Sequence, residues 1–199
     1  MSQACPARRA VLPDLPDAHA AWVEAAQAEE GGEGKMLLAI DPGPVESAYV
    51  VLDRDLRPID FDKLPNADIL SVVNAISTNN STYSRGLWRL AIEMIASYGM
   101  SVGREVFETC VWIGRFTQAA EPLQANYIYR KDVKMNLCGS PRAKDSNIIR
   151  ALVDRFAKHD MKMGKGTKKN PDWFHGFSRD IWQAYAVGIT YYDLHLKNL

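Results

Sequence analysis

The 199-residue chain has little of what staples small secreted or zinc-bound domains: 3 cysteines and 4 histidines. Cys5, Cys110 and Cys138 show no C-x-x-C spacing, and His19, His159, His175 and His195 form no H-E-x-x-H or finger-like pattern, which excludes a His/Cys zinc motif. No apolar run approaches the roughly 20 residues that a membrane-crossing helix needs, and no leader-like segment opens the chain. A reducing, cytoplasmic setting without membrane contact is expected. Net charge is lacking as well: 24 basic residues balance 24 acidic ones, so total charge alone points to no polyanionic partner. With so few His and Cys, a bound metal would have to be a hard cation held by carboxylates.

What is present reads as one ordinary domain. Hydrophobic residues make up 47% of the chain and charged ones 24%, usual for a well-packed domain of this length. The charge is unevenly placed, however. Residues 1–35 lean acidic, whereas Arg130 to Arg179 holds more than twice as many Lys and Arg as Asp and Glu. Residues 1–35 are rich in Ala, Pro and Glu and end in G-G-E-G, with at most one short helix at Ala18 to Glu29. They read as a flexible N-terminal extension, leaving 36–199 as the folded domain.

The organising stretch is Met36 to Asp53, M-L-L-A-I-D-P-G-P-V-E-S-A-Y-V-V-L-D. An apolar run from Met36 to Ile40 stops at Asp41, Pro42 and Gly43, and apolar character returns from Ala48 to Leu52, predicting two strands joined by a tight turn. Pro42 pushes Asp41 into an extended conformation, and Gly43 allows positive φ and a close approach to the backbone. A lone D-P-G is usually only a turn. Arg57 to Phe61 supplies a third short strand, and Ala67 to Ile76 has Ile69, Leu70, Val73 and Ile76 at helical spacing. Leu87 to Ile95 reads as a buried strand carrying one acid, Glu93, which is costly there unless it is paired, with Arg89 for example, or bound to a metal.

Val102 to Ala120 predicts an amphipathic helix with Val106, Cys110, Ile113 and Phe116 inward, and Leu123 to Tyr129 a strand. Ser140 and Pro141 suggest the N-cap and first residue of a helix reaching about His159, with Lys144 in its first turn. Met161 to Gly176 is a glycine-broken basic loop, either a solvated connection or a surface for an anionic ligand. Ser178 onward predicts a last helix with Asp180 in its first turn, where an acid is favoured for local reasons too.

An Asp, a Glu and an Asp in this order on these elements resemble the ribonuclease H-like nucleases, and more specifically the RuvC family of Holliday junction resolvases, over about residues 36–192. A-I-D-P-G-P-V-E-S-A-Y-V-V resembles the family's opening I-D-P-G motif, and L-A-I-E-M-I its glutamate-bearing strand. V-K-M-N-L-C-G-S-P-R-A-K is similar to its lysine segment, and D-I-W-Q-A-Y-A-V-G-I to its terminal D-x-x-D-A-L-A-V-A-I helix. The resemblance implies an α/β fold, a mixed five-stranded sheet flanked by helices, and an endodeoxyribonuclease that resolves four-way DNA junctions as a homodimer. It also implies two Mg²⁺ ions per site, replaceable by Mn²⁺, held by Asp41, Glu93, Asp180 and the residue at Gln183. Lys144 would join Asp41, Glu93 and Asp180 in catalysis. Lys134, Lys144, Arg142, the loop lysines Lys165, Lys168 and Lys169, and Tyr98 by stacking would contact DNA.

The chain departs from the family pattern at several points. Gln183 replaces the fourth acid, so that ligand is neutral or is supplied by Asp145 or His175. Ala48 replaces a glycine, and the 161–176 loop is longer than the family's connection. The rival readings are a related nuclease acting on RNA:DNA hybrids or flaps, a catalytically impaired DNA-binding relative, and an actin-like or sugar-kinase ATPase, for which the chain is short.

Overall fold

The computed structural model describes residues 36–82, 88–97, 99 and 101–197. Residues 1–35 and Tyr98 lie outside the described residues. Strands β1 (Met36–Asp41), β2 (Glu46–Leu52) and β3 (Pro58–Pro65) form an antiparallel meander. After helix α1 (Asn66–Thr82), β4 (Trp88–Met94) returns parallel to β1, and after α2 (Arg104–Ala120), β5 (Ala125–Tyr129) adds parallel to β4. Helices α3 (Arg130–Cys138), α4 (Asp145–Phe156) and α5 (Arg179–Tyr191) follow, with a π-helical turn at Tyr192–Leu196. The sheet is ordered β3-β2-β1-β4-β5.

Period-2 alternation divides the core into two layers. Leu38, Ile40, Tyr49, Val51, Leu90 and Ile92 face one way, against Ile69, Val73 and Ile76 of α1 and Ile113 and Phe116 of α2. Leu37, Ala39, Ala48, Val50, Ala91 and Ile128 face the other way, onto α5 and the buried stripe of α4. Helix α5 is buried from Ile181 to Tyr191, so its small residues matter. A Cβ placed on Gly188 would stand 2.8 Å from Leu52 Cδ1 and 3.1 Å from Ala39 Cβ. Glycine therefore lets this helix lie directly on β1 and β2.

Several elements differ from the sequence-based expectation. Strand β3 runs on to Pro65 rather than ending at Phe61. In α2 the buried stripe is Thr109, Ile113, Phe116 and Ala120, while Cys110 is exposed. The residues R-K-D-V-K that follow β5 open α3, a helix with no apolar stripe in the sequence because it buries only Val133. Gly139 in the left-handed region ends α3, and the next helix starts at Asp145, not at Ser140. Lys144 is its N-cap, not a first-turn residue, and its backbone N–H donates to Asn147 Oδ1 at 2.9 Å.

The 161–176 loop is folded against the domain. Asp172 accepts from the backbone N–H groups of Lys158, His159 and Trp173. Phe174 is fully buried among Phe177, Trp182 and Tyr185. Tyr185 links the layers: its hydroxyl accepts from Trp173 Nε1 at 2.9 Å and donates to the Leu56 carbonyl at 3.0 Å.

Candidate active site

Asp41 is the last residue of β1, and the β1–β4 register, which pairs Ile40 with Ile92, places Glu93 beside it. The β1–β2–β3 registers set Ala48 next to Asp41 and Lys63 next to Ala48. Lys63, Asp41 and Glu93 thus share one row across the sheet, on the face covered by α5. Ala48 between them has too small a side chain to separate Lys63 from the acids.

A buried hydrogen-bond network fixes the turn after Asp41. Ser47 Oγ accepts from the Gly43 N–H at 3.2 Å and donates to Asn66 Oδ1 at 2.5 Å. Asn66 Nδ2 donates to the Gly43 carbonyl at 2.9 Å, and the Asn66 N–H to the Val45 carbonyl at 3.0 Å. The start of α1 therefore holds the end of β1 in place. Gly43 is required for a reason other than positive φ: a Cβ there would lie 2.3 Å from the Glu46 carbonyl oxygen.

Burial pushes the Asp41 carboxyl well above the ordinary aspartate range, and the charge of Glu93 and a hydrogen bond to it push it further. Asp180, in the first turn of α5, raises it as well, while the Arg130 guanidinium pulls the other way. Glu93, whose side chain is 13% exposed, is also raised by burial, against the attraction of Arg130. The two carboxylates are crowded and short of compensating charge.

The structure thus brings Asp41 and Glu93 together with Asp180 close enough for its charge to be felt. It does not converge all three on one point: among the described residues no three His, Cys, Asp or Glu side chains form a metal-ligating cluster. Asp180 instead pairs with Lys63 Nζ at 2.9 Å, and Lys63 also lies 3.5 Å from Glu46. Gln183 is buried one turn along α5, and its side-chain oxygen has no hydrogen-bond partner among the described residues. Crowded carboxylates and an orphaned amide oxygen are the donor set that a hard divalent cation takes, so the residues fit Mg²⁺.

Asp145 belongs to the rim of this site through Arg130, whose Nη2 lies 2.5 Å from Asp145 Oδ1. His175 is engaged elsewhere, its Nδ1 3.1 Å from the Lys165 carbonyl. Lys134 on α3 is close enough for its charge to act on Glu93. Arg142 and Lys144 are exposed before α4, Lys168 and Lys169 are exposed in the 161–176 loop, and Lys165 is half-buried. Two cations at the acids, Lys63 and Arg130, went unrecognised in the sequence. The one available signal was the alternation of Phe61 and Lys63, which places the lysine on the inward face of β3.

Three antiparallel strands continued by two parallel ones in the order β3-β2-β1-β4-β5, with helices on both faces, constitute the ribonuclease H-like fold, here in its RuvC-like form. No family model matches the sequence, and no curated protein matches it. Among solved structures, RuvC of Thermus thermophilus matches with a TM-score of 0.51 at 14% identity, over 80% of this chain and 95% of that one. T. thermophilus RuvC in complex with Holliday junction substrate matches with a TM-score of 0.50, again at 14% identity, over 79% of this chain and 92% of that one. No helix among the described residues is long and apolar enough to cross a membrane.

Proposed function

We propose that this chain is a metal-dependent endodeoxyribonuclease that cuts four-way DNA junctions. The observation that carries the proposal is the pairing of Asp41 and Glu93 at adjacent strand ends of a RuvC-like sheet, both carboxyls held above their ordinary range by burial. Asp41, Glu93, Asp180 and the Gln183 oxygen would hold Mg²⁺ or Mn²⁺, with Asp180 released from Lys63. Bound there, a pair of such ions would supply Lewis acids for the attacking water and the departing 3′ oxygen. The chain's own residues fix the end of β1, and with it Asp41, through the Gly43–Ser47–Asn66 network, and α5 packs over the sheet beside the acids.

Lys134, Lys144, Arg142, Lys165, Lys168 and Lys169 would neutralise backbone phosphates, which gives binding that weakens steeply with salt. A symmetric junction suits a homodimer. Helix α2 offers a face for it: Phe107 and Val111 are 62% and 61% exposed one turn apart.

A binding-only relative is the second reading, favoured by neutral Gln183 and by the Lys63–Asp180 pair. Incubating the protein and Asp41→Asn with labelled four-way junction, linear duplex and RNA:DNA hybrid, in Mg²⁺, Mn²⁺ or EDTA, separates the readings. Paired metal-dependent nicks in the junction alone, absent from the variant, are expected. Binding without cutting in every metal would establish the second reading, and cutting confined to the hybrid would overturn junction resolution.

A further inference from the structure

Arg130 is built into the acid cluster in an unusual way. It is the first residue of α3, directly after β5, so its backbone is set by the Tyr129–Met94 pairing on one side and the α3 cap on the other. One arm of the guanidinium is anchored, Nη2 pairing with Asp145 Oδ1 at 2.5 Å. The other arm is not: Nη1 is shielded from solvent and has no hydrogen-bond partner among the described residues. Its neighbour is Glu93 Oε1 at 3.9 Å, close enough for attraction but too far for a hydrogen bond.

Arg150 and Arg155 contrast with this. Arg150 spreads its nitrogens over Asp154 and Asp160, and Arg155 clamps both oxygens of Asp193. A buried N–H donor left unmatched costs stability, and natural structures keep such groups chiefly where a ligand acceptor completes them. Here the orphaned donor points into the site holding Asp41 and Glu93. A purely charge-balancing role would be better served by closing the gap to Glu93.

We propose that Arg130 is a substrate-contacting residue whose free Nη1 donates to a non-bridging oxygen of the phosphodiester being cut, while Asp145 acts as its positioning residue. The proposal rests on the nuclease reading above. During hydrolysis water adds to phosphorus, the P–O3′ bond breaks, and the proton lost by the water ends on the 3′ oxygen. Negative charge grows on the non-bridging oxygens as this happens, and a fixed guanidinium fork suits that charge in number and direction. Holding one arm on Asp145 means the cation need not be reoriented when substrate arrives.

The test uses the full chain with Arg130→Gln, Arg130→Lys and Asp145→Asn, each checked by thermal melt, and a labelled four-way junction. Binding is measured in EDTA across a salt series, and single-turnover cutting in Mg²⁺. A phosphate contact contributes about 0.9 to the slope of log affinity against log salt, so Arg130→Gln should lower the slope by about one per active site and Arg130→Lys should retain it. Cutting should fall about 10²–10³-fold in Arg130→Gln, the scale for losing one oxyanion donor. It should fall less in Asp145→Asn, whose salt slope should stay as in wild type.

An unchanged slope in Arg130→Gln, with wild-type protein that binds and cuts, would overturn the proposal and leave Arg130 as a structural partner of Glu93. If Arg130→Gln does not fold, undiminished cutting in Asp145→Asn together with full activity in Arg130→Lys would overturn it equally. Wild-type protein that neither binds nor cuts junctions would remove the nuclease reading itself, and the assignment of Arg130 with it.

Discussion

Replacing Asp41 by Asn should stabilise the metal-free protein while abolishing its activity. The amide keeps the shape of the carboxylate and removes a charge that is crowded by Glu93 and Asp180 and partly offset by Arg130. Because the folded-state value of the Asp41 carboxyl is raised, the folded chain holds its proton more tightly than the unfolded chain does. Stability in EDTA therefore falls as pH rises from the ordinary aspartate range through the raised one, and is regained on acidification. An uncompensated buried charge costs several kcal/mol, of which the attraction of Arg130 returns a part, so a gain of about 2 kcal/mol is expected above that range. At about 2–4 °C per kcal/mol for a chain of this size, the melting temperature should rise by about 4–8 °C. Calorimetry in EDTA at pH 8 and pH 5.5 reads both effects: the variant should melt higher at pH 8, and the gap should narrow at pH 5.5. Mg²⁺ should raise the wild-type melting temperature and leave the variant nearly unchanged. A variant that melts lower than wild type in EDTA at pH 8 would refute the reasoning, because Asp41 would then be held by favourable interactions rather than tolerated for a ligand.

Two further substitutions test the frame that carries the site. Gly188→Val puts a branched side chain where Leu52 and Ala39 already stand and should cost about 3 kcal/mol or more through displacement of α5, read as a lower urea midpoint. Little loss would mean that α5 does not lie on β1 and β2 as described. Tyr185→Phe strips a partner from both the Leu56 carbonyl and Trp173 Nε1, and should cost about 1–3 kcal/mol while leaving metal affinity unaltered; a neutral result would mean that the 161–176 loop is not held through this residue.

Much of the frame was legible because it rests on local signals. The apolar run broken by D-P-G located the end of β1, and a single acid in L-W-R-L-A-I-E-M-I marked Glu93. Periodicity found α1, α2 and α5 because each lays a stripe of large side chains on the sheet. Helix α3 gave no such stripe, since only Val133 is buried. In α2 the apolar spacing led to Cys110, which is exposed, and passed over Thr109, a polar residue that is buried with its hydroxyl donating to the Glu105 carbonyl at 2.8 Å. Ser140 and Pro141 have the chemistry of a helix start, but Ser140–Lys144 forms a turn after Gly139 and the cap falls on Lys144, secured from Asn147.

The cations of the site were hidden for a different reason. Acids at strand ends announce themselves by interrupting apolar runs, whereas Lys63 and Arg130 occupy positions where charged residues are unremarkable. Lys63 reaches Asp180 only because the β2–β3 register sets it beside Ala48 and α5 returns over that row, joining residues more than a hundred positions apart in the chain. Arg130 meets Glu93 because β5 pairs parallel with β4 and α3 begins at once. The substitution of Gln183 for an acid points in the same direction as these two cations: each reduces the negative charge that a hard ion would meet. Metal occupancy here should therefore depend on whether substrate phosphate draws Lys63 off Asp180 while Arg130 stays anchored on Asp145, which makes metal and DNA binding mutually reinforcing.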